Sequence, residues 1–387
     1  MGVHCGPPLE SAFSSFACWH ATCPADTMTI TDYRGAGVVS VATALPRHRF
    51  EQRDLAHLAQ EVIPELGANE RQLSRFFQRV SVHHRHLALN REAYAHLGGM
   101  QSRSRAWLEV GLELGERCVS DLLRRAGMSA DEIRCLMTTT VTGLSVPTLD
   151  ARLMNRIAFP THLKRLPSFG LGCVGGAVGV ARIADYLRAF PDQAAILLSV
   201  ELCSLTVQKA DLSLANLIAM GLFGDGAAAV LMVGRQHPAW VESRLRVVDS
   251  LSVFFPNTER AMGWDVVDTG FKVVLDQRVP ELARTELRPR VDELLSQHGL
   301  SRKDVAAWVC HPGGPRILDA ISEGLELDPA ALAPARQTLE NIGNLSSASV
   351  LFLLEEFCGA RKPAPGKWGI MLAMGPGFCA EIVLLRW

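Results

Sequence analysis

The sequence predicts an α/β fold built by internal pseudo-twofold duplication, and three features carry that expectation. Along the 387 residues, short apolar and β-branched runs alternate with longer stretches whose apolar residues recur at helical spacing. Gly172-Cys173-Val174-Gly175-Gly176-Ala177 and Gly343-Asn344-Leu345-Ser346-Ser347-Ala348 share one pattern: glycine, a chemically distinctive residue, an apolar residue, two small residues, alanine. The segments that flank these two runs also recur in the same order.

Taken in order, residues 37–42 read as the opening strand, closed by Leu45-Pro46. Amphipathic helices are expected over 55–66 and 70–77, and a long one over 103–126 carries Ala106, Val110, Leu114, Cys118 and Leu122 on one face. Residues 135–142 form a buried strand ending at Gly143. The 172–177 run opens a helix with Val178, Val180, Ile183, Ala184 and Leu187 at helical spacing, and a strand follows over 194–202. Phe223-Gly224-Asp225-Gly226 reads as a tight turn into a strand over 228–233. The polar stretch 234–239 separates two halves, 28–235 and 236–387. In the second half, strands are expected over 244–251 and 271–275. A helix over 279–298 should break or kink at Pro289. A strand over 306–310 ends in His311-Pro312-Gly313-Gly314-Pro315, and a helix follows over 316–325. The 343–348 run opens a helix over 349–357, with strands at 370–373 and 382–385. The two series match: 135–143 with 306–314, 195–200 with 370–373, and 228–233 with 382–385.

Composition excludes several classes of function. A formal charge of −1 leaves no electrostatic footprint for nucleic acid, and 6% aromatic residues leave little for base stacking. Ten cysteines are dilute and irregular in a chain of this length, with no paired motif for a metal; a reducing, cytoplasmic setting is expected. No apolar run approaches a membrane span. Residues 1–27 hold Cys5, Cys18, Cys23 and two adjacent prolines, without the basic start and apolar core of a secretory signal. They are expected to be a poorly ordered extension, or to reflect an upstream start with Met28 as the functional one.

The duplicated run also points to chemistry. A cysteine at the first turn of a helix sits where free backbone N–H groups and the dipole favour an anion. Its pKa can fall from about 8.5 into the range of roughly 3.5–7.5, and the glycines let a substrate approach the sulfur. If the halves are related by a pseudo-twofold, the two small-residue helices pack together. Cys173 and Asn344 then start equivalent helices aimed at a shared centre, and His311, at the end of an equivalent strand, faces the same space. Such a trio serves a hydrolase, in which the histidine is a base oriented by the asparagine. It serves equally a carbon–carbon bond-forming synthase, in which the cysteine carries an acyl group while histidine and asparagine stabilise an enolate. A basic patch of Arg71, Arg75, Arg79, His83, His84, Arg85, His86 and Arg91 is either a solvated face or a site for a phosphorylated handle such as coenzyme A.

The motifs together resemble those of the bacterial type III polyketide synthases of the chalcone synthase superfamily. They are Gly-Cys-Val-Gly-Gly at 172–176, Phe-Gly-Asp-Gly-Ala-Ala-Ala at 223–229, His-Pro-Gly-Gly-Pro at 311–315, Gly-Asn-Leu-Ser-Ser-Ala at 343–348 and Met-Gly-Pro-Gly-Phe at 374–378. The resemblance covers roughly residues 30–387 and implies a thiolase-like fold of five αβαβα layers. It implies that Cys173 is the nucleophile, that His311 keeps it as thiolate, and that His311 and Asn344 promote decarboxylation of malonyl-CoA. Phe223 matches a gatekeeper between the coenzyme A tunnel and the cavity. The second gatekeeper falls at Val273, where a valine would widen the portal. Thr142, Cys203, Thr206, Gly263 and Ser346 match cavity positions. Gly375, Pro376, Gly377 and Phe378 match the loop that shapes the site, and Arg79 matches a coenzyme A contact. The family is homodimeric, with Val146 where plant members reach into the partner's cavity. Acyl-CoA and malonyl-CoA are the substrates implied, with no further cofactor and no metal. Val273 and the cavity residues point to a fatty acyl starter and an alkylpyrone or alkylresorcinol product. The alternatives are a chalcone-type or malonyl-only aromatic product, a single condensation of the ketoacyl-ACP synthase III kind, and a non-catalytic acyl-CoA-binding module.

Overall fold

A computed structural model describes residues 35–243 and 245–387, except for the side chains of 67–72 and 74. The extension expected over 1–27 and the side chain of Arg71 lie outside the described residues. Thirteen strands are found among them: β1 (Ala36–Ala44), β2 (His48–Glu51), β3 (His84–Leu87), β4 (Ile133–Thr140), β5 (Lys164–Phe169), β6 (Ala194–Leu202), β7 (Asp225–Val233), β8 (Leu245–Phe254), β9 (Met262–Val267), β10 (Gly270–Leu275), β11 (Val305–Cys310), β12 (Trp368–Gly375) and β13 (Cys379–Arg386).

Nine of these strands form one sheet in the order β11-β12-β13-β8-β1-β7-β6-β4-β5. The order is symmetric about the β8/β1 junction. β1 pairs antiparallel with β7 as β8 does with β13. β7 pairs antiparallel with β6 as β13 does with β12. β6 runs parallel to β4 as β12 does to β11. Only β5, on the outer edge of the first half, has no counterpart. The halves therefore repeat, as the matched sequence runs implied.

β1 and β8 pair only over Ala36–Val38, so the half-sheets part beyond that point and leave room for helices between them. The helix Gly175–Ala189 touches β4, β6 and β7 of the first half and β8, β12 and β13 of the second, and the helix Ser349–Cys358 packs beside it. Outside, the long helix Met100–Ala126 covers β1, β6 and β7, while Val279–Gln297, with Pro315–Gly324 packed on it, covers β8 and β13. The result is the five-layered αβαβα arrangement of a thiolase-like fold. β6 and β7 are buried along their whole length, as strands covered on both faces must be, which is why they read as continuous apolar runs.

Close approach of the central helices requires small residues. A Cβ at Gly176 would lie 2.3 Å from the Ser347 carbonyl oxygen and 2.7 Å from Val350 Cγ1. At neighbouring Gly175 it would lie 2.8 Å from Thr139 Oγ1 and 3.1 Å from Ser347 Cβ. The Gly-Gly of the first run is thus a packing requirement against the Ser-Ser of the second.

Two expectations fail in detail. The helix Val279–Gln297 runs unbroken through Pro289. The proline is exposed, and the buried stripe Ala283, Leu287, Val291 and Leu294 stays in register across it, so core packing outweighs the lost hydrogen bond. The helix expected over 55–66 ends at Val62, just before Pro64, and gives way to a 3-10 turn over Pro64–Asn69.

Candidate active site

Cys173 lies in a 3-10 turn, Gly172–Val174, that runs straight into the central helix Gly175–Ala189. Its Sγ donates to Ser346 Oγ at 3.9 Å. Ser346 holds a left-handed conformation, with φ of +49°, a strained geometry for a non-glycine residue. Its backbone N donates to Asn344 Oδ1 at 2.8 Å. Asn344 Nδ2 donates to Gly313 O at 3.1 Å, and Ser349 Oγ donates to Asn344 Oδ1 at 3.4 Å. The amide of Asn344 is thereby oriented from three sides.

His311 follows the last residue of β11, and its backbone N donates to Leu372 O at 2.8 Å, extending the β11/β12 pairing by one residue. The imidazole is buried, yet neither ring nitrogen has a hydrogen-bond partner among the described residues. An unpaired buried polar group costs about 1–3 kcal/mol and calls for a partner. Gly313 lies directly against the ring: a Cβ there would be 3.4 Å from His311 Cδ2. Gly313 thus links two of the predicted residues, touching His311 and accepting from Asn344, while Ser346 links Asn344 to Cys173.

The electrostatics differ from the expectation for a helix start. Burial pushes the Cys173 thiol up to about 12, against the pull of Ser346; the Glu201 carboxylate adds to the rise and the Asn344 amide opposes it. Burial likewise draws His311 down to about 3. Burial thus disfavours the charged form of each group. A helix terminus stabilises an anion by less than full desolvation takes away.

Glu201, at the end of β6, organises the floor of the site. Its Oε2 accepts from Thr142 Oγ1 at 2.7 Å, Val141 N at 3.1 Å and Thr140 Oγ1 at 3.2 Å, and its Oε1 accepts from Ser347 Oγ. Burial raises the pKa of Glu201, and Ser347 works against that rise. Thr142 therefore acts on the site through Glu201. Cys203, buried and close enough to Cys173 for their charges to couple, is pushed well above the usual thiol range. Thr206 Oγ1 turns back to donate to Cys203 O at 2.7 Å.

Phe223 pairs with Asn344 as a parallel bridge: Asn344 N donates to Leu222 O and Gly224 N to Asn344 O, both at 2.9 Å. The Gly-Asp-Gly that follows is more than a turn. Asp225 is fully buried and accepts from Ala88 N at 2.6 Å, Ser204 N at 2.8 Å and Ser204 Oγ, and burial raises its carboxyl to about 6. The glycine before it is required, because a Cβ at Gly224 would lie 2.6 Å from Ile342 O.

The loop residues divide. Pro376 packs on Gly172, where a Cβ would lie 2.7 Å from Pro376 Cδ, and Gly375 packs on the Leu171–Val174 backbone. Phe378 is buried in the core against Phe255, ring centroids 5.6 Å apart, which anchors the loop. Val273 is buried, and its cross-strand neighbour Trp264, missed in the sequence, brings its ring to 6.4 Å from that of Phe223. The aromatic absent at 273 is thus supplied from β9. The signal for it was the neighbouring Gly263, which faces Val274 across the β9/β10 hairpin.

Arg79 ends the helix Glu70–Arg79 with its side chain exposed. The rest of the basic patch does not act as one surface. Arg91 pairs with Glu61, His86 Nδ1 lies 2.6 Å from Pro46 O, and Arg85 is buried. No group of three or more histidine, cysteine or acidic residues suited to a metal occurs among the described residues, and no helix among them is long and apolar enough to cross a membrane.

Comparison with known proteins agrees with this geometry. The N-terminal domain of chalcone and stilbene synthases matches residues 26–236, and their C-terminal domain matches 246–387. A 1,3,6,8-tetrahydroxynaphthalene synthase of Streptomyces peucetius subsp. caesius is 48% identical over 363 residues, 93% of this chain and 95% of that protein. A putative chalcone synthase of Bacillus subtilis is 33% identical over 361 residues, 91% of this chain and 99% of that protein. The crystal structure of the tetrahydroxynaphthalene synthase of Streptomyces coelicolor A3(2), a bacterial type III polyketide synthase, superposes with a TM-score of 0.84 at 30% identity, covering 91% of this chain and 99% of that one. With a cysteine and an asparagine on duplicated helix starts, and both domains of the family matched in sequence, the chain belongs to the chalcone and stilbene synthases and is a type III polyketide synthase.

Proposed function

We propose that this enzyme uses malonyl-CoA as both starter and extender and releases an aromatic polyketide. The observation that carries the catalytic part is the buried His311, with two unpaired nitrogens, beside an Asn344 amide aimed by Gly313 and Ser346. His311 takes the thiol proton of Cys173 as the sulfur attacks an acyl-CoA carbonyl, and coenzyme A leaves as the thiol. His311 and the second Asn344 amide proton then donate to the thioester carbonyl of the extender. As carbon dioxide leaves, that oxygen gains the enolate charge, and neither donor sets a negative charge beside it. The enolate carbon attacks the acyl group on Cys173, and the lengthened chain returns to the sulfur for the next round. The substrates are coenzyme A thioesters, and the steps need no further cofactor and no metal. Arg79 is placed at the coenzyme A phosphates.

Two observations favour malonyl units over a fatty starter. The relative at 48% identity makes 1,3,6,8-tetrahydroxynaphthalene, a skeleton oxygenated on alternate carbons as successive two-carbon units leave it. Trp264 also crowds the portal that Val273 alone would have widened. The second reading, a fatty acyl starter and an alkylpyrone or alkylresorcinol product, is supported by an apolar pocket. Leu55, Leu58, Val62, Leu97 and Met220 line it together with Cys203 and Phe223. The same reading takes the enzyme to act in the cytoplasm as a homodimer. Support for the dimer comes from the exposed edge strand β5, with Leu166 and Phe169, and from exposed Leu144 and Val146.

Incubation with malonyl-CoA alone, then with added acyl-CoAs of increasing length, separates the readings by product mass. Malonyl-CoA alone is expected to suffice, and Cys173→Ala to abolish product by roughly 10⁴–10⁶-fold. Faster turnover from a long-chain acyl-CoA would establish the second reading. No polyketide from any thioester would refute both.

A further inference from the structure

The bridge between Phe223 and Asn344 leaves one backbone group over. Leu222 O and Asn344 O accept the two bridging bonds, and the Phe223 carbonyl takes no part. It is capped from β3: Arg85 Nη1 donates to Phe223 O at 2.6 Å. Arg85 Nε donates to Gln52 Oε1 at 3.2 Å. Gln52 Nε2 donates in turn to Gly221 O at 2.7 Å and Phe77 O at 3.2 Å, closing a loop of bonds around the segment that ends in Phe223. The stem of Arg85 also props the other side of the bridge. Gly343, just before Asn344, has φ of +74°, and a Cβ there would lie 3.0 Å from Arg85 Cδ and 2.7 Å from Leu222 O.

Arg85 is buried, and among the described residues no carboxylate reaches ion-pair distance of it; its bonds go to a carbonyl and an amide. Burial works against the Arg85 charge, and the carboxyl of buried Asp225, beyond ion-pair distance, offsets it only in part; such a guanidinium is unfavourable compared with an apolar filling of the same space. Its place is one where two elements 121 positions apart, Phe223 and Asn344, must keep a common register. None of its bonds goes to Cys173, Ser346 or Glu201.

We propose that Arg85 is a positioning residue for the extender half of the reaction, holding the Phe223–Asn344 junction so that the Asn344 amide stays aimed at the malonyl thioester. It acts through Asn344 and touches no substrate. The inference rests on the decarboxylating role given to Asn344 above.

The test compares two rates in one protein. Alkylation of Cys173 by iodoacetamide, followed by peptide mass spectrometry, reads the nucleophile half without substrate. Release of labelled carbon dioxide from malonyl-CoA reads the extender half. Arg85→Met is expected to leave alkylation within three-fold of wild type and to lower decarboxylation ten-fold or more. Arg85→Lys, which keeps the charge and loses the fork of donors, should recover part of that loss. Gln52→Met, which removes the anchor of Arg85, should shift the ratio in the same direction by less. If Arg85→Met does not fold, as judged by thermal melting, Arg85→Lys and Gln52→Met decide by the same ratio. Parallel loss of both rates, or decarboxylation within two-fold of wild type, overturns the inference while the proposed function stands. A wild-type enzyme that releases no carbon dioxide from malonyl-CoA overturns both.

Discussion

The turn that begins at Gly172 and the turn that begins at Gly343 are one backbone device used twice, and they are finished in opposite ways. Cys173 sits among glycines, with a long hydrogen bond to Ser346 and the Asn344 amide near enough to act on its thiol. Asn344 is held by Gly313 O, Ser346 N and Ser349 Oγ. The ends of the equivalent strands differ in the reverse sense. At the end of β4, Thr140, Val141 and Thr142 all donate to Glu201, whereas past β11 neither ring nitrogen of His311 has a hydrogen-bond partner among the described residues. Each half thus combines a fixed group with a free one. In the proposed reaction the free groups, a thiol and an imidazole, are those that change partners. Duplication supplies the symmetry of placement, and asymmetric hydrogen bonding assigns the roles.

The two-stranded sheets inserted after β1 and β8 extend the comparison. β2/β3 carries Arg85, which grips the carbonyl of Phe223, and β9/β10 carries Trp264, which faces its ring. One residue is therefore held by backbone from the first insertion and flanked by side chain from the second.

The asymmetry can be broken in steps. The largest effect is expected from Asn344→Ala, which removes the fixed donor. Decarboxylation of malonyl-CoA should fall by about 10²–10³-fold, while iodoacetamide still labels Cys173; equal loss of both would show that the roles are not divided. Gly176→Val attacks the shared packing instead, driving a side chain into the Ser347 carbonyl, and should lower unfolding stability by about 3 kcal/mol in a denaturant titration. An unchanged midpoint would mean that the central helices are free to separate. Trp264→Ala should shift starter selection toward longer acyl-CoAs by about ten-fold in kcat/KM, while Trp264→Phe keeps the wild-type preference. The smallest effect concerns pH. Burial holds the folded-state pKa of His311 near 3, against an ordinary value of 6.5, so between those values the unfolded chain binds the extra proton. Stability from this group is present above 6.5 and is lost as pH falls. Between pH 7 and 5.5 the loss should be about 1 kcal/mol, and His311→Gln should flatten that limb of the stability curve. A limb unchanged in His311→Gln would place the titration elsewhere.

Much of this was legible along the chain because it depends on local order. Apolar spacing identified the strands and helices, and the small-residue runs at 172 and 343 disclosed the duplication. Duplication alone implied a shared centre for Cys173, Asn344 and His311. Other features were not legible, since each depends on groups remote in sequence. Arg85 looked like one member of a basic patch until it was found buried under Phe223, 138 positions away. Asp225 looked like a turn residue until Ala88 and Ser204 converged on it. The opposition at Cys173 has the same reason: a helix start favours the thiolate locally, while burial by both halves pushes the thiol up. Periodicity and residue size are properties of neighbours in the chain and can be read there. Desolvation, register between distant segments and the satisfaction of buried polar groups exist only after the two halves close on each other, and those decided how the duplicated helix starts became a nucleophile and an oriented amide.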